Sequence, residues 1–245
     1  MNRLLLPLVA LFGMAAPPCS GAPTPPGTVR VELRLLAFAP PSDSGEWFVH
    51  DPAAKDDALG VAVHLKTYLN HENCVLTVHG RNLVFTGSQE RASMRQPAAQ
   101  LAHVSLPEGK RELVLMFLPR EQDGHTTWQV LAIDDSVRAF PPGSLQILNL
   151  SRSVVRIQLE QTNYDFKSGE TQVITDPPVG PNHHSAMTSF ALTSGEWRRI
   201  GSGLWPHPGH KRSVQVLFDD PASGQVQLRG FRDVVEKDSP AAPPH

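Results

Sequence analysis

A period of two dominates this chain. From Thr28 to Phe38, Val29, Val31, Leu33 and Leu35 alternate with Arg30, Glu32 and Arg34. An alternation of this kind puts one face of an extended segment in a core and the other in water. The same reading predicts strands over Leu59–Thr67, Cys74–Val78, Leu83–Thr86, Leu101–Leu106, Arg111–Leu118, Thr126–Ile133, Leu145–Leu150 and Val154–Leu159. It continues over Thr171–Thr175, Met187–Thr193, Glu196–Ile200, Ser213–Phe218 and Gln225–Phe231. Turn signals such as His79-Gly80-Arg81-Asn82 and Pro141-Pro142-Gly143 divide these runs. Asp51–Leu59 and Gln89–Leu101 contain helix formers, but neither carries an apolar stripe. The expected class is therefore all-β with β-sandwich packing and little helix.

Two tandem, similar sandwich domains are expected, over 28–136 and 137–234. The expectation rests on a faint repeat. Lys110-Arg111-Glu112-Leu113-Val114-Leu115-Met116-Phe117 resembles Lys211-Arg212-Ser213-Val214-Gln215-Val216-Leu217-Phe218. After a turn, Trp128–Asp135 likewise matches Val226–Asp233. Phe117 and Phe218 are then expected at equivalent strand positions.

The ends carry different signals. Met1-Asn2-Arg3, an apolar run from Leu4 to Ala16, and small and turn residues to Ala22 read as a secretory signal over 1–22. Residues 23–27 form a linker, and the Pro/Ala-rich 235–245 a disordered tail. The expected location is secreted or periplasmic, at a cell envelope. Lipid anchoring at Cys19 is disfavoured, because Ala16-Pro17-Pro18 is unlike a lipobox. No later run is long and apolar enough for a transmembrane helix. A net charge of −2 supplies no field for nucleic acid. With Cys19 removed, Cys74 stands alone, a buried thiol beside Val75 and Leu76 with no intramolecular disulfide.

The search for chemistry centres on eleven histidines and four tryptophans. Pro-Gly inside His207-Pro208-Gly209-His210 would bring two imidazoles together across a turn. His183 and His184 lie in another loop and could add ligands for zinc or copper. Trp197 and Trp205 flank Gly201-Ser202-Gly203 and are candidates for stacking on a sugar, whereas Trp128 reads as core. The sequence has no Gly-x-Ser-x-Gly elbow and no His-Glu-x-x-His helix. Asp56-Asp57, Asp134-Asp135 and Asp219-Asp220 sit where turn chemistry favours Asp. Asn149-Leu150-Ser151 is a glycosylation sequon.

Phe140-Pro141-Pro142-Gly143-Ser144-Leu145-Gln146-Ile147-Leu148-Asn149 resembles the Pro/Gly turn and Asn-terminated strand of cupredoxins. The resemblance covers about a dozen residues and implies a β-sandwich. It does not bring copper, since no His follows in Ser151–Val155. The leading expectation is a non-catalytic protein, binding or scaffolding with an envelope protein or polysaccharide and carrying no cofactor. A cupredoxin-like metal protein comes second, a carbohydrate-binding module third and an enzyme last.

Overall fold

A computed structural model describes residues 27–41, 45–122, 125–206, 209 and 211–234. The proposed signal, its cleavage region, Cys19 and the tail lie outside the described residues. Sixteen strands occur among them. In chain order these are β1 (Val29–Ala37), β2 (Trp47–His50), β3 (Val61–Val63), β4 (Cys74–Val78), β5 (Asn82–Thr86), β6 (Gln100–Ser105), β7 (Glu112–Gln122) and β8 (His125–Asp134). There follow β9 (Leu145–Asn149), β10 (Val155–Leu159), β11 (Thr162–Phe166), β12 (Thr171–Ile174), β13 (His184–Thr193), β14 (Glu196–Pro206), β15 (Lys211–Asp219) and β16 (Val226–Val234). The helical signals reduce to 3-10 turns at Arg91–Arg95 and Pro97–Ala99. The fold is all-β and sandwich-like.

The strands form three sheets. An eight-stranded sheet runs β3-β2-β5-β6-β8-β7-β1-β4. It curls around its own core, because Val63 of β3, at one end of the order, and Leu76 and Val78 of β4, at the other, share one apolar cluster with Phe85, Phe117 and Trp128. A bridge between Leu36 and Lys66 pins the curl. The other two sheets, β12-β9-β15-β16 and β11-β10-β13-β14, face one another over a core that includes Ile147, Ile157, Leu217 and Trp205.

A third core joins these parts. Leu36, Val114, Met116 and Ile133 from the eight-stranded sheet pack against Leu148, Val214, Val216 and Phe231. The β9–β15 pair is therefore covered on both faces. Leu145–Asn149 is buried at every residue, as expected of a strand inside three layers.

The middle core relates two four-strand units. Within the large sheet, β4-β1-β7-β8 combines antiparallel, parallel and antiparallel pairings. The order β12-β9-β15-β16 has the same three pairings in the same places. The row Leu33–Leu113–Asp134 corresponds to Leu145–Ser213–Arg232. The next row, Arg34–Val114–Ile133, corresponds to Gln146–Val214–Phe231. This register keeps Asp135 with Asp233, in line with the sequence likeness, but moves the first strand by one residue. Phe117 corresponds to Leu217, and Phe218 turns toward the middle core, 4.9 Å from Phe38. The reason is facial. A one-residue slip exchanges inside for outside, and Val114 and Val214 must both face the middle core.

Four buried charges tie the units together. Arg34 holds Asp135 through both carboxylate oxygens, at 2.6 and 2.7 Å, and Asp233 at 2.8 Å. Arg212 donates to Asp135 at 2.8 Å and Asp233 at 2.9 Å, and to the Asp135 and Phe140 carbonyls. The four side chains are 3 to 9% exposed. Burial alone would lower the Arg34 pKa, but Asp135 and Asp233 reverse the effect and raise it. Two bases and two acids thus cancel in a dry place, and breaking one partner leaves a charge uncompensated.

Candidate functional site

A wide opening lies between β6 and β8. These parallel strands register only at Ala102–Trp128 and His103–Gln129 and then separate. The resulting fork encloses a groove of about 1020 Å³. Ser105 and Pro107 line one side, and Val130, Leu131 and Ala132 the other.

Backbone alternation determines what the groove offers. The Asp135 N–H donates to the Glu112 carbonyl, so odd-numbered β8 residues near this end point their polar groups at β7. Val130 and Ala132 therefore turn theirs toward β6, where the His103–Gln129 pairing engages the Val130 N–H and the ladder ends before the Val130 carbonyl and Ala132. On the opposite wall, the Leu106 N–H donates to the Arg81 carbonyl, which turns Ser105 toward the fork. The groove presents extended backbone with no ladder partner, beside the partly buried apolar side chains Leu101, Val130 and Ala132. Its ionisable lining groups among the described residues are His103 and Arg120. Arg120 donates to the Gln129 carboxamide oxygen at 2.6 and 3.0 Å.

Two smaller cavities follow the seam where the curled sheet fails to zip between β3 and β4. One, of about 230 Å³, lies by Val61, Leu76 and Val78, and the other by Ala62, His64 and Cys74. The first adjoins His50, whose Nε2 lies 2.9 Å from the Thr86 hydroxyl and 3.1 Å from the Ser88 carbonyl. Burial lowers the His50 pKa, partly opposed by the Ser88 carbonyl. Gly60 is required here, since a Cβ would fall 2.5 Å from the His50 ring. His50 is thus a satisfied packing residue. Cys74 is half-buried rather than buried, because it starts an edge strand, and what burial it has raises its pKa.

Two of the four candidate histidines fall within the described residues. His183 is exposed, at φ 55°, in a turn where its N–H donates to the Gly180 carbonyl. His184 begins β13 opposite Pro206. His207 and His210 lie outside the described residues. Among the described residues no three His, Cys, Asp or Glu side chains gather as a metal set.

The tryptophans correct the expectation of a shared stacking strip. Trp205 is 3% exposed in the core between the last two sheets, because its strand position points inward. Trp197 is 37% exposed, but the Arg156 guanidinium lies over its ring at 4.2 Å, held there by Asp165. Trp47 and Trp128 are core, stacked edge-on at 5.8 Å.

The Asp pairs divide. Asp135 belongs to the buried quartet. Burial would raise the Asp134 pKa, but hydrogen bonds from Lys110 and Ser136 outweigh it and leave the carboxyl below its usual range. Asp219 accepts from Arg152, and Asp220 organises its own turn. The Asn149 sequon is closed in the folded protein. Its side chain is fully buried, with Nδ2 donating to the Ser153, Phe166 and Lys167 carbonyls. The backbone fork and the charge quartet escape sequence reading. Their only sequence trace is the pair of matching strand-end aspartates.

No family model matches this chain, and no curated protein matches it. Two solved structures align over most of its length. One is a putative cell adhesion protein from Bacteroides uniformis, 11% identical, covering 83% of this chain and 98% of its own, with a TM-score of 0.19. The other comprises two C2-type domains of Extended-Synaptotagmin 2, 11% identical, covering 96% of this chain and 100% of its own, with a TM-score of 0.20. At these scores neither contributes to an argument about function. No helix among the described residues is long and apolar enough to cross a membrane.

Proposed function

We propose that this is a secreted, non-catalytic binding protein that takes up an extended segment of a partner polypeptide in the β6/β8 fork. The observation that carries this reading is the turn of the Val130 carbonyl and of Ala132 toward a groove in which β6 has moved away. Extended backbone recognises extended backbone, and strand addition obtains affinity from main-chain hydrogen bonds and selectivity from alternate side-chain pockets. The apolar walls favour a segment with alternating apolar residues. With Arg120 and His103 as the ionisable lining groups, the preferred segment is acidic. The start from Met1 to Ala22 supports secretion. The buried ionic side chains are committed to one another in the quartet, which supports a binding role over acid–base chemistry.

The test uses a capped octapeptide that alternates Thr and Val and carries one Glu, with binding read by fluorescence anisotropy. Ala132→Pro deletes the Ala132 N–H aimed into the fork while leaving the β7 ladder in place. Binding by the wild type, at least tenfold weaker in this variant, is the expected result. No binding, or equal binding by both proteins, rejects strand addition.

A further inference from the structure

The chain from Lys66 to Cys74, between β3 and β4, runs as a strap along the joint between the two units. Both of its ends are tied to β1. The Lys66 N–H donates to the Leu35 carbonyl, the Lys66 carbonyl accepts from Ala37, and Cys74 pairs with Leu33. Between these ties, Leu69 goes inside, where it is fully buried in the middle core. Its carbonyl accepts twice, from Arg34 Nη1 at 2.9 Å and from the His71 N–H at 2.8 Å. One oxygen thus joins the strap to the charge quartet and to His71.

The His71 ring has one settled nitrogen and one stranded one. Nδ1 lies 3.0 Å from the Glu72 carbonyl oxygen. A carbonyl only accepts, so Nδ1 carries the proton and Nε2 is the bare acceptor. Nε2 is buried and has no hydrogen-bond partner among the described residues. The Tyr68 ring stands edge-on to the imidazole, with centroids 5.9 Å apart. A proton added to Nε2 in this seat would make a partly buried cation with an unmatched donor. The surrounding charges oppose it. Arg34 of β1 and Lys66 of the strap repel a charged ring, and Asp233 of β16 attracts one. Asp233, however, is already shared by Arg34 and Arg212. The other titratable groups on the cavity that His71 lines are His64, Tyr68, Glu72 and Cys74.

We infer that the Lys66–Cys74 strap is an acid-operated latch on the joint between the units: His71 takes a proton at Nε2 only by leaving its seat, and in leaving it draws Leu69 off Arg34 and out of the middle core. The proton comes from water, Nδ1 keeps its own, and the imidazolium is solvated once outside. Burial of the ring and the two neighbouring bases hold the His71 pKa below its ordinary value. The latch is therefore shut at neutral pH and opens as pH falls below about 6.5, the value of a free imidazole. It acts on the joint and not on the β6/β8 fork, so either proposal can fail without the other.

The experiment follows hydrogen exchange of the His71 amide in the full chain at pH 7.5 and 5.0, corrected for the intrinsic pH dependence of exchange. The opening constant is expected to rise at least fivefold on acidification. The free imidazole pKa limits the rise to about thirtyfold. At both pH values it should exceed, at least tenfold, the opening constant of the Leu192 amide, which donates to the Val154 carbonyl away from the joint. His71→Gln cannot take up the proton and should hold the change within twofold, whereas His50→Gln should leave the rise in place. A measurement on the wild type alone stands beside the variants: the ring nitrogen spectrum at pH 7.5 should show the Nδ1–H tautomer. The proposal is overturned by a wild-type rise below twofold, by the same rise in His71→Gln, by a His71 amide that opens no more often than Leu192, or by the Nε2–H tautomer.

Discussion

The two four-strand units use one frame in opposite ways. Ala132 of β8 and Gly230 of β16 occupy corresponding positions, each with its polar backbone turned away from the neighbouring hairpin strand. In the first unit, β6 begins to cover that edge and departs after two registered pairs, leaving a groove within one sheet. In the second unit the edge is the rim of the sheet, and β14 of the facing sheet passes over it, leaving a pocket between layers. The first opening exposes backbone hydrogen-bonding groups. The second opens beside Gly203 and Gly230. An edge strand left without a partner bounds an opening of either kind, depending on what approaches it.

If the units are equivalent about the middle core, Asp135→Asn and Asp233→Asn should be about equally harmful. Each removes half the acid from a buried network of two arginines, at a cost of about 3–5 kcal/mol. Urea denaturation would measure this, and a cost confined to one variant breaks the comparison. Gly230→Ala pushes a Cβ into the Gln215 amide and is expected to cost about 1–2 kcal/mol. Ala132→Gly, its counterpart, removes a partly buried Cβ and should cost about 1 kcal/mol, from backbone entropy and the lost methyl contact.

A third expectation sharpens the contrast through pH. Burial lowers the pKa values of His50 and His71, and both residues belong to the first half. The unfolded chain therefore takes up protons first. The stability these neutral imidazoles permit is complete above about pH 6.5 and declines as pH falls below that value. Denaturant midpoints at pH 7.5 and 5.5 should show the decline, and replacing both histidines by Gln should reduce it.

The smallest effect is Ala132→Pro, expected within about 0.5 kcal/mol of wild type, since its N–H serves no ladder. Hydrogen exchange gives the same test without mutation. The Ala132 amide should exchange far faster than Leu131 and Ile133, which face β7. Slow exchange at Ala132 would show that the fork is closed in solution.

Much of the fold is legible in the sequence because apolar alternation is local. Cys74–Val78 and Leu145–Asn149 appear almost as the pattern places them. Two strands escape it. Trp47–His50 is four residues long after a Pro- and Ser-rich stretch, and Thr162–Phe166 is polar at all but two positions. The site is hardly legible. Trp205 and Trp197 look alike in sequence, and only strand pairing turns one inward and leaves the other beneath Arg156. The fork depends on where a ladder stops, and no residue type marks that point. Gly201-Ser202-Gly203 reads as a Gly-rich spacer between two tryptophans, yet its glycines empty an interior wall.

The charge quartet also has an order in time. Its members enter the growing chain as Arg34, Asp135, Arg212 and Asp233, base and acid in turn, the last 199 positions after the first. When Asp135 has emerged, the first unit already holds a balanced pair, and its strands can close without carrying a bare charge into the dark. The second unit arrives with its own base and must wait only for its final strand. A chain threaded through a narrow exit can thus settle in two instalments, each electrically neutral when it docks.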